Sequence, residues 1–285
     1  MFAPTRHLPQ EQCGETIFIR RHSGVTRLTH WVNVVCLSVL ILSGLQIFNA
    51  YPRLHWGQVG ADADPAFITI GATGDSGAPR GHLTIGSVSI PTTGVLGMSQ
   101  ENGAWIPRAF PAWLTLPSYQ DLAAGRRWHF FFAWIFVING LVYLSFGILS
   151  GHFRRDLALH RRELTPRHLG QEIIDHARLR FPTGSDARHY NALQKLTYIG
   201  VVAVLLPTML LTGLTMSPGV NAVFPFLLDL FGGRPSARTI HFITASLLVL
   251  FVLVHLAMVI LSGTWNNMRS MITGRYAIRQ KGPDA

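Results

Sequence analysis

The segment 240–258, IHFITASLLVLFVLVHLAM, carries no formal charge yet holds two histidines, His241 and His255, fourteen residues apart. In a helix, that interval turns through about 1400°, some 40° short of four full turns, and rises about 21 Å. Both imidazoles therefore project from nearly the same face, too far apart to share one metal ion and well placed to serve two cofactors. Two further histidines, His30 and His129, lie at the starts of other apolar runs. The chain has 13 histidines, and the others fall in loops or tails or, like His152, at a run's end, where an interfacial role is expected. An ionisable group inside an apolar span is costly and marks a functional candidate. Imidazole nitrogen is a good iron ligand. The competing role for any single one is an interhelical hydrogen bond.

These histidines sit in four runs that lack Asp, Glu, Lys and Arg: 31–51, 128–152, 196–220 and 239–268. Each holds about 20 residues apolar enough to cross a bilayer core. A water-soluble helix of that length shows a charged face; these runs show none. Only 13% of the 285 residues are charged, and 48% are hydrophobic. The expected fold class is an all-α membrane protein, a single integral-membrane unit over 1–285. Its four-transmembrane-helix bundle has helices near 28–50, 127–151, 195–216 and 238–263. Residues 1–27 have no apolar core of a secretory signal, so the first helix is expected to remain as an anchor.

Lys and Arg set the orientation. Seventeen fall in the two tails and the segment between the second and third runs, against seven in the other two connections. Both termini are thus expected on the cytoplasmic side of a bacterial inner membrane. The net charge of +10 is mostly this topogenic arginine, with attraction to anionic lipid. No basic surface suited to nucleic acid follows from it. With this topology the histidines pair by depth. His30 and His255 lie near the cytoplasmic side, His129 and His241 near the periplasmic side. Two imidazoles at one depth can supply both axial ligands of a b-type haem. Four histidines at two matched depths would hold two haems b.

Supporting residues fit the same plan. Haem propionates need cations, and Arg27, Arg126, Arg127 and Arg238 stand two or three residues before the histidines. They are equally suited to anchoring helix ends. Ser43, Gly44, Gly140, Gly147 and Gly213 are small enough to let a helix or a macrocycle approach. Pro207 predicts a kink in the third helix. The run AVFPFLLDLF, with Asp229, is too short to span. The periplasmic insertion 51–127 alternates β-branched runs with Gly and Pro, consistent with short strands or with an irregular loop. In the cytoplasmic segment 152–194, Thr165 and Pro166 can start an amphipathic helix. Its apolar positions are Leu169, Ile173, Ile174 and Ala177, and it would lie in the membrane interface. Cys13 and Cys36 fall in a tail and in a span, so no disulfide is expected. Neither Cys-x-x-Cys-His nor His-Glu-x-x-His occurs.

Four stretches resemble the bacterial cytochrome b561 superfamily. They are RLTHWVNVVCLSVLILSGL, GRRWHFFFAW, HYNALQKLTY and IHFITASLLVLFVLVHLAMVILSGTWNNMRSMITGRY. The pattern is similar to the four-helix dihaem cytochrome b subunits of formate dehydrogenase, nickel-iron hydrogenase and thiosulfate reductase type. The resemblance implies the same histidine pairing and a quinone site on the cytoplasmic side. That site would map to Tyr190, Asn191, Gln194 and Lys195. Residues 51–127 are longer than in the formate dehydrogenase subunit, which leaves the periplasmic partner open. The implied function is an electron-transfer subunit with quinone oxidoreductase activity. It would link the quinone pool to a periplasmic redox protein, such as a molybdenum oxidoreductase or a soluble cytochrome, and is compatible with a homo-oligomer. Alternatives are a stand-alone oxidoreductase of a small species such as superoxide, or a histidine-based proton-coupled transporter.

Overall fold

The computed structural model describes residues 16–61, 63–74, 79–151, 153, 165–178 and 192–279. Tyr190 and Asn191, together with Cys13 and His152, lie outside the described residues. In chain order the elements are β1 (Thr16–Arg20), α1 (Gly24–Asn49), β2 (Arg53–His55), β3 (Ala66–Thr73), β4 (Arg80–Ile85), β5 (Val88–Pro91), β6 (Met98–Glu101), β7 (Ala104–Pro107), α2 (Leu122–Leu149) and α3 (Pro166–Ala177). There follow α4 (Ala192–Thr215), α5 (Pro218–Val223), α6 (Phe226–Leu230), α7 (Arg234–Leu261), α8 (Thr264–Thr273) and β8 (Arg275–Arg279).

Four helices, α1, α2, α4 and α7, are long and apolar enough to cross a membrane. Each starts a few residues before its expected position, because capping rather than the first apolar residue decides where a helix begins. The Thr26 amide donates to Ser23 Oγ at 3.0 Å, and the Ala124 amide donates to Asp121 Oδ1 at 2.9 Å. The expected kink at Pro207 takes the form of a wider π-helical turn over Val201–Leu205. Proline has no N–H to donate to the carbonyl four residues back, and an expanded turn accommodates the missing bond.

The spans are packed inside out relative to a water-soluble protein. Large apolar side chains such as Val35, Phe131, Trp134, Leu141, Leu250 and Leu253 are exposed. Most of the buried positions are small or polar, among them Thr29, Cys36, Ser43, Gln46, Asn139, Thr212, Thr215, Thr239 and Thr244, with Phe48 and Leu248 as large apolar exceptions. Between helices in lipid, small residues and hydrogen bonds replace the hydrophobic effect as the glue.

The chain forms two compact units. The larger holds Leu28–Leu149 and Thr197–Val254. Here the segment between α1 and α2 carries an antiparallel sheet of order β2-β3-β4-β5 and a β6-β7 hairpin, adding β structure to the expected helices. Its core joins Leu54, Ile70 and Ala109 to Phe48 of α1, with Phe242 of α7 packed against them. Arg108 is buried at 4% exposure. It donates to the Ser118 carbonyl at 2.8 Å, Thr115 Oγ1 at 2.9 Å and Gln46 Oε1 at 3.1 Å, with Glu101 at 3.5 Å. Burial lowers its pKa, and Glu101 opposes that shift. In the 57–64 loop, Asp64 accepts from the Gly60 and Val59 amides, which hold its carboxyl below the usual value.

The smaller unit holds Met1–Arg27, Ser150–Leu196 and His255–Ala285. Strands β1 and β8 pair antiparallel within it. Asn266 bonds both backbone groups of Ala277, and the Arg27 guanidinium donates to the Ile272 carbonyl at the end of α8. Glu172 of α3 accepts from the Ala192 and Leu193 amides at 3.1 and 2.7 Å, which caps α4.

In the larger unit Gly97 has φ +76°, and a Cβ there would lie 2.0 Å from the Gly71 carbonyl oxygen. Gly97→Ala is expected to cost roughly 2–4 kcal/mol, from left-handed strain plus a clash with backbone. Gly86→Ala, at a positive-φ turn with open space around it, should cost only about 1 kcal/mol. Thermal unfolding of the solubilised protein checks both, and equal midpoints would contradict the packing.

Candidate functional site

Within the larger unit, α2 and α7 bring His129 and His241 together. Their ring centroids are 6.4 Å apart at an interplanar angle of 61°. The distance carries chemical information. With metal–nitrogen bonds of about 2.0–2.1 Å and a ring centre about 1.2 Å beyond each nitrogen, two imidazoles on opposite sides of one metal have centroids about 6.4 Å apart. The observed separation equals that figure.

Each ring is held by a helix that carries no histidine of this pair. Ser43 Oγ of α1 lies 3.1 Å from His129 Nδ1, and Thr212 Oγ1 of α4 lies 3.0 Å from His241 Nδ1. Neighbouring glycines make room for them. A Cβ on Gly44 would stand 3.4 Å from His129 Cε1, and one on Gly213 would stand 3.4 Å from His241 Cε1. All four spans thus contribute to one place: α2 and α7 give the imidazoles, α1 and α4 give a hydroxyl and a bare backbone. Of the other small residues, a Cβ on Gly140 would meet no neighbour within 4 Å, and Gly147 is buried in α2.

His30 is half-buried on α1, edge-on to Trp31 at 5.5 Å. His255 lies on α7, fourteen residues beyond His241 on the same unbroken helix, with an exposed side chain. Among the described residues no group of three or more His, Cys, Asp and Glu gathers as a metal site.

The expected arginines divide. Arg126 and Arg127 are exposed in the second turn of α2, and Arg127 lines an open groove with Tyr119, Ala124, Trp128 and Phe131. Arg238 donates to the Arg53 and Tyr51 carbonyls and lies over the Phe48 and Tyr51 rings, binding α7 to the α1–β2 connection. Arg27 is engaged with α8 in the smaller unit. There too, Gln194 is exposed and Lys195 is buried in the first turn of α4.

Two polar contacts within the spans were not anticipated. Asn139 of α2 donates to the Thr29 carbonyl at 2.8 Å and to Asn33 Oδ1 at 2.7 Å, beside His30 on α1. Tyr198 of α4 donates to Tyr143 Oη of α2. Asn139 and Tyr143 are one turn apart on α2. A screen for charged residues passes over neutral amides and phenols; asking which polar groups in a charge-free run need a partner would have found them.

Four membrane-spanning helices whose interior opposes two imidazoles define a membrane protein built to hold haem. The chain belongs to the prokaryotic cytochrome b561 family, whose model matches residues 21–274. It is 30% identical over 240 residues to a protein of Azospira oryzae whose name reads "Putative protein-methionine-sulfoxide reductase subunit YedZ1", across 84% of this chain and 90% of that relative. No solved structure matches. The chain is a membrane electron-transfer subunit of haem b type.

The glycines give a test of the site. Gly44→Leu and Gly213→Leu each place a side chain where an imidazole now lies and should lower haem content per chain severalfold. Gly44→Ala, whose Cβ would make ordinary contact at 3.4 Å, and Gly140→Ala should keep it. Pyridine haemochrome analysis of the purified proteins measures the difference.

Proposed function

We propose that this cytochrome binds two haems b and carries electrons across the bacterial inner membrane, between the quinone pool and a redox partner on the periplasmic side. The observation that carries the reading is the spacing of His129 and His241, which suits one iron between them. His30 and His255 are the second pair. Fourteen residues of helix, a rise of about 21 Å, separate His255 from His241 along α7, which supports a second haem nearer the other membrane face. Bound haem supplies reversible one-electron transfer. The chain supplies the ligands, and Arg126 and Arg127 offer exposed cations one turn from His129 for propionates. The excess of Lys and Arg in the tails and the 150–196 segment supports a cytoplasmic location for both termini, so the β insertion faces the periplasm.

The quinone site that the resemblance assigns to Tyr190, Asn191, Gln194 and Lys195 falls, in sequence, around the residues that lead into α4, on the side proposed to be cytoplasmic. Amide and ammonium donors there can meet a quinone oxygen at the membrane edge. The Azospira relative is named as a reductase subunit. By analogy the partner here is a periplasmic reductase subunit acting on oxidised methionine in proteins, with electrons flowing outward from quinol.

Two measurements test this reading. Pyridine haemochrome analysis should give two haems per chain. His129→Ala and His241→Ala should remove the same haem, and His30→Ala and His255→Ala the other. A single haem per chain, or the same spectral loss in His241→Ala and His30→Ala, overturns the pairing. Asn191→Ala should slow haem reduction by quinol at least tenfold with both haem spectra intact. An unchanged rate would remove the quinone from that end of α4.

A further inference from the structure

We infer that Ser43 and Thr212 are positioning residues that fix His129 and His241 as Nδ1–H tautomers, leaving Nε2 of each ring as the base that takes iron. The inference rests on the haem reading above and adds which groups on the other two helices set the ligands.

A hydroxyl has one proton. Ser43 Oγ gives its proton to the Val39 carbonyl at 2.6 Å, with Leu40 at 3.3 Å. Thr212 Oγ1 gives its proton to the Thr208 carbonyl at 2.7 Å, with Met209 at 3.2 Å. With its proton so placed, each hydroxyl offers lone pairs to the facing imidazole and Nδ1 is the donor, the Leu40 and Met209 carbonyls facing the two rings as further acceptors. A neutral imidazole with Nδ1 protonated has Nε2 as its free base. Ser43 and Thr212 are both 0% exposed, so water does not compete for these bonds. The arrangement is repeated on two helices: a hydroxyl residue spends its proton on its own helix, the next residue is glycine, and the ring of another helix lies against both. A side chain kept only for close packing would need to be small, as Gly44 and Gly213 are; it would not need an oxygen aimed at a ring nitrogen.

The bond also tunes the ligand. An Nδ1–H that donates a hydrogen bond makes Nε2 a stronger electron donor, which favours the oxidised metal. Removing the acceptor should raise the potential of this haem alone.

The experiment uses the purified haem-loaded protein. Thr212→Val keeps the shape and loses the oxygen, Ser43→Ala loses the oxygen on the other side, and Thr212→Ser keeps an oxygen on a smaller side chain. Optical redox titration of Thr212→Val and Ser43→Ala should show one haem shifted to higher potential and the other unmoved. The low-spin electron paramagnetic resonance signal of the same haem should shift too. Thr212→Ser should return both readouts to wild-type values. If Thr212→Val sheds that haem altogether, recovery in Thr212→Ser supports the inference equally. An unshifted potential and signal in Thr212→Val, or a Thr212→Ser variant as displaced as Thr212→Val, overturns it. A His241→Ala control keeps the two levels apart. If that variant retains its full haem complement, the ligand assignment itself fails. If it loses one haem, the assignment stands and the hydroxyl variants judge only the inference.

Discussion

A hydrocarbon surround offers no hydrogen-bond partner, so every polar side chain on a membrane span must find one on its own helix or on another. The larger unit follows from that constraint. Its lipid-facing surface is leucine, valine and aromatic, and its interior is serine, threonine, glutamine and asparagine. Several interior groups are joints: Ser43 to His129, Thr212 to His241, Asn139 to Thr29 and Asn33, Tyr198 to Tyr143. The same rule that holds the helices together orients the imidazoles. Stability and cofactor chemistry therefore draw on one set of bonds.

The β insertion is part of the same arrangement. At the start of α7, Ser236 Oγ donates to the Gly57 carbonyl and accepts from the Gly57 amide, and Thr239 Oγ1 donates to the His55 carbonyl. Arg238 reaches the Tyr51 and Arg53 carbonyls, and Phe242 packs against the core of the insertion. These four residues flank His241. Contacts on either side of a position fix the rotation of the helix about its axis, and hence the direction in which the ring projects. The insertion acts on the site through this turn of helix without lending it a ligand.

Much of the plan was legible in the residues. The four spans are written as runs without charge, because a bilayer tolerates few charges and the composition records it. His129 and His241 stood out because an ionisable ring is rare in such a run. The roles of small residues were less legible. Ile-Leu-Ser-Gly occurs at 41–44, 148–151 and 260–263. At the last two the glycine has φ of +68° and +106° and ends a helix; at the first it lies inside α1 against His129. The local sequence is the same, and only the neighbour differs. Arg238 was equally ambiguous. It precedes a histidine as a propionate partner would, and the fold directs its guanidinium to backbone carbonyls.

The sequence by itself determined the medium, the number of spans and the candidate ligands, since each is a property of a single segment: its charge, its length, its residue types. The tertiary structure decided which glycine faces a ring, which hydroxyl meets which nitrogen, and that His129 and His241 stand 6.4 Å apart. Those depend on the rotation of one helix against another. Rotation is set by contacts between residues as distant in the chain as Ser43 and His129, or Thr212 and His241, and no pattern read along one segment contains it.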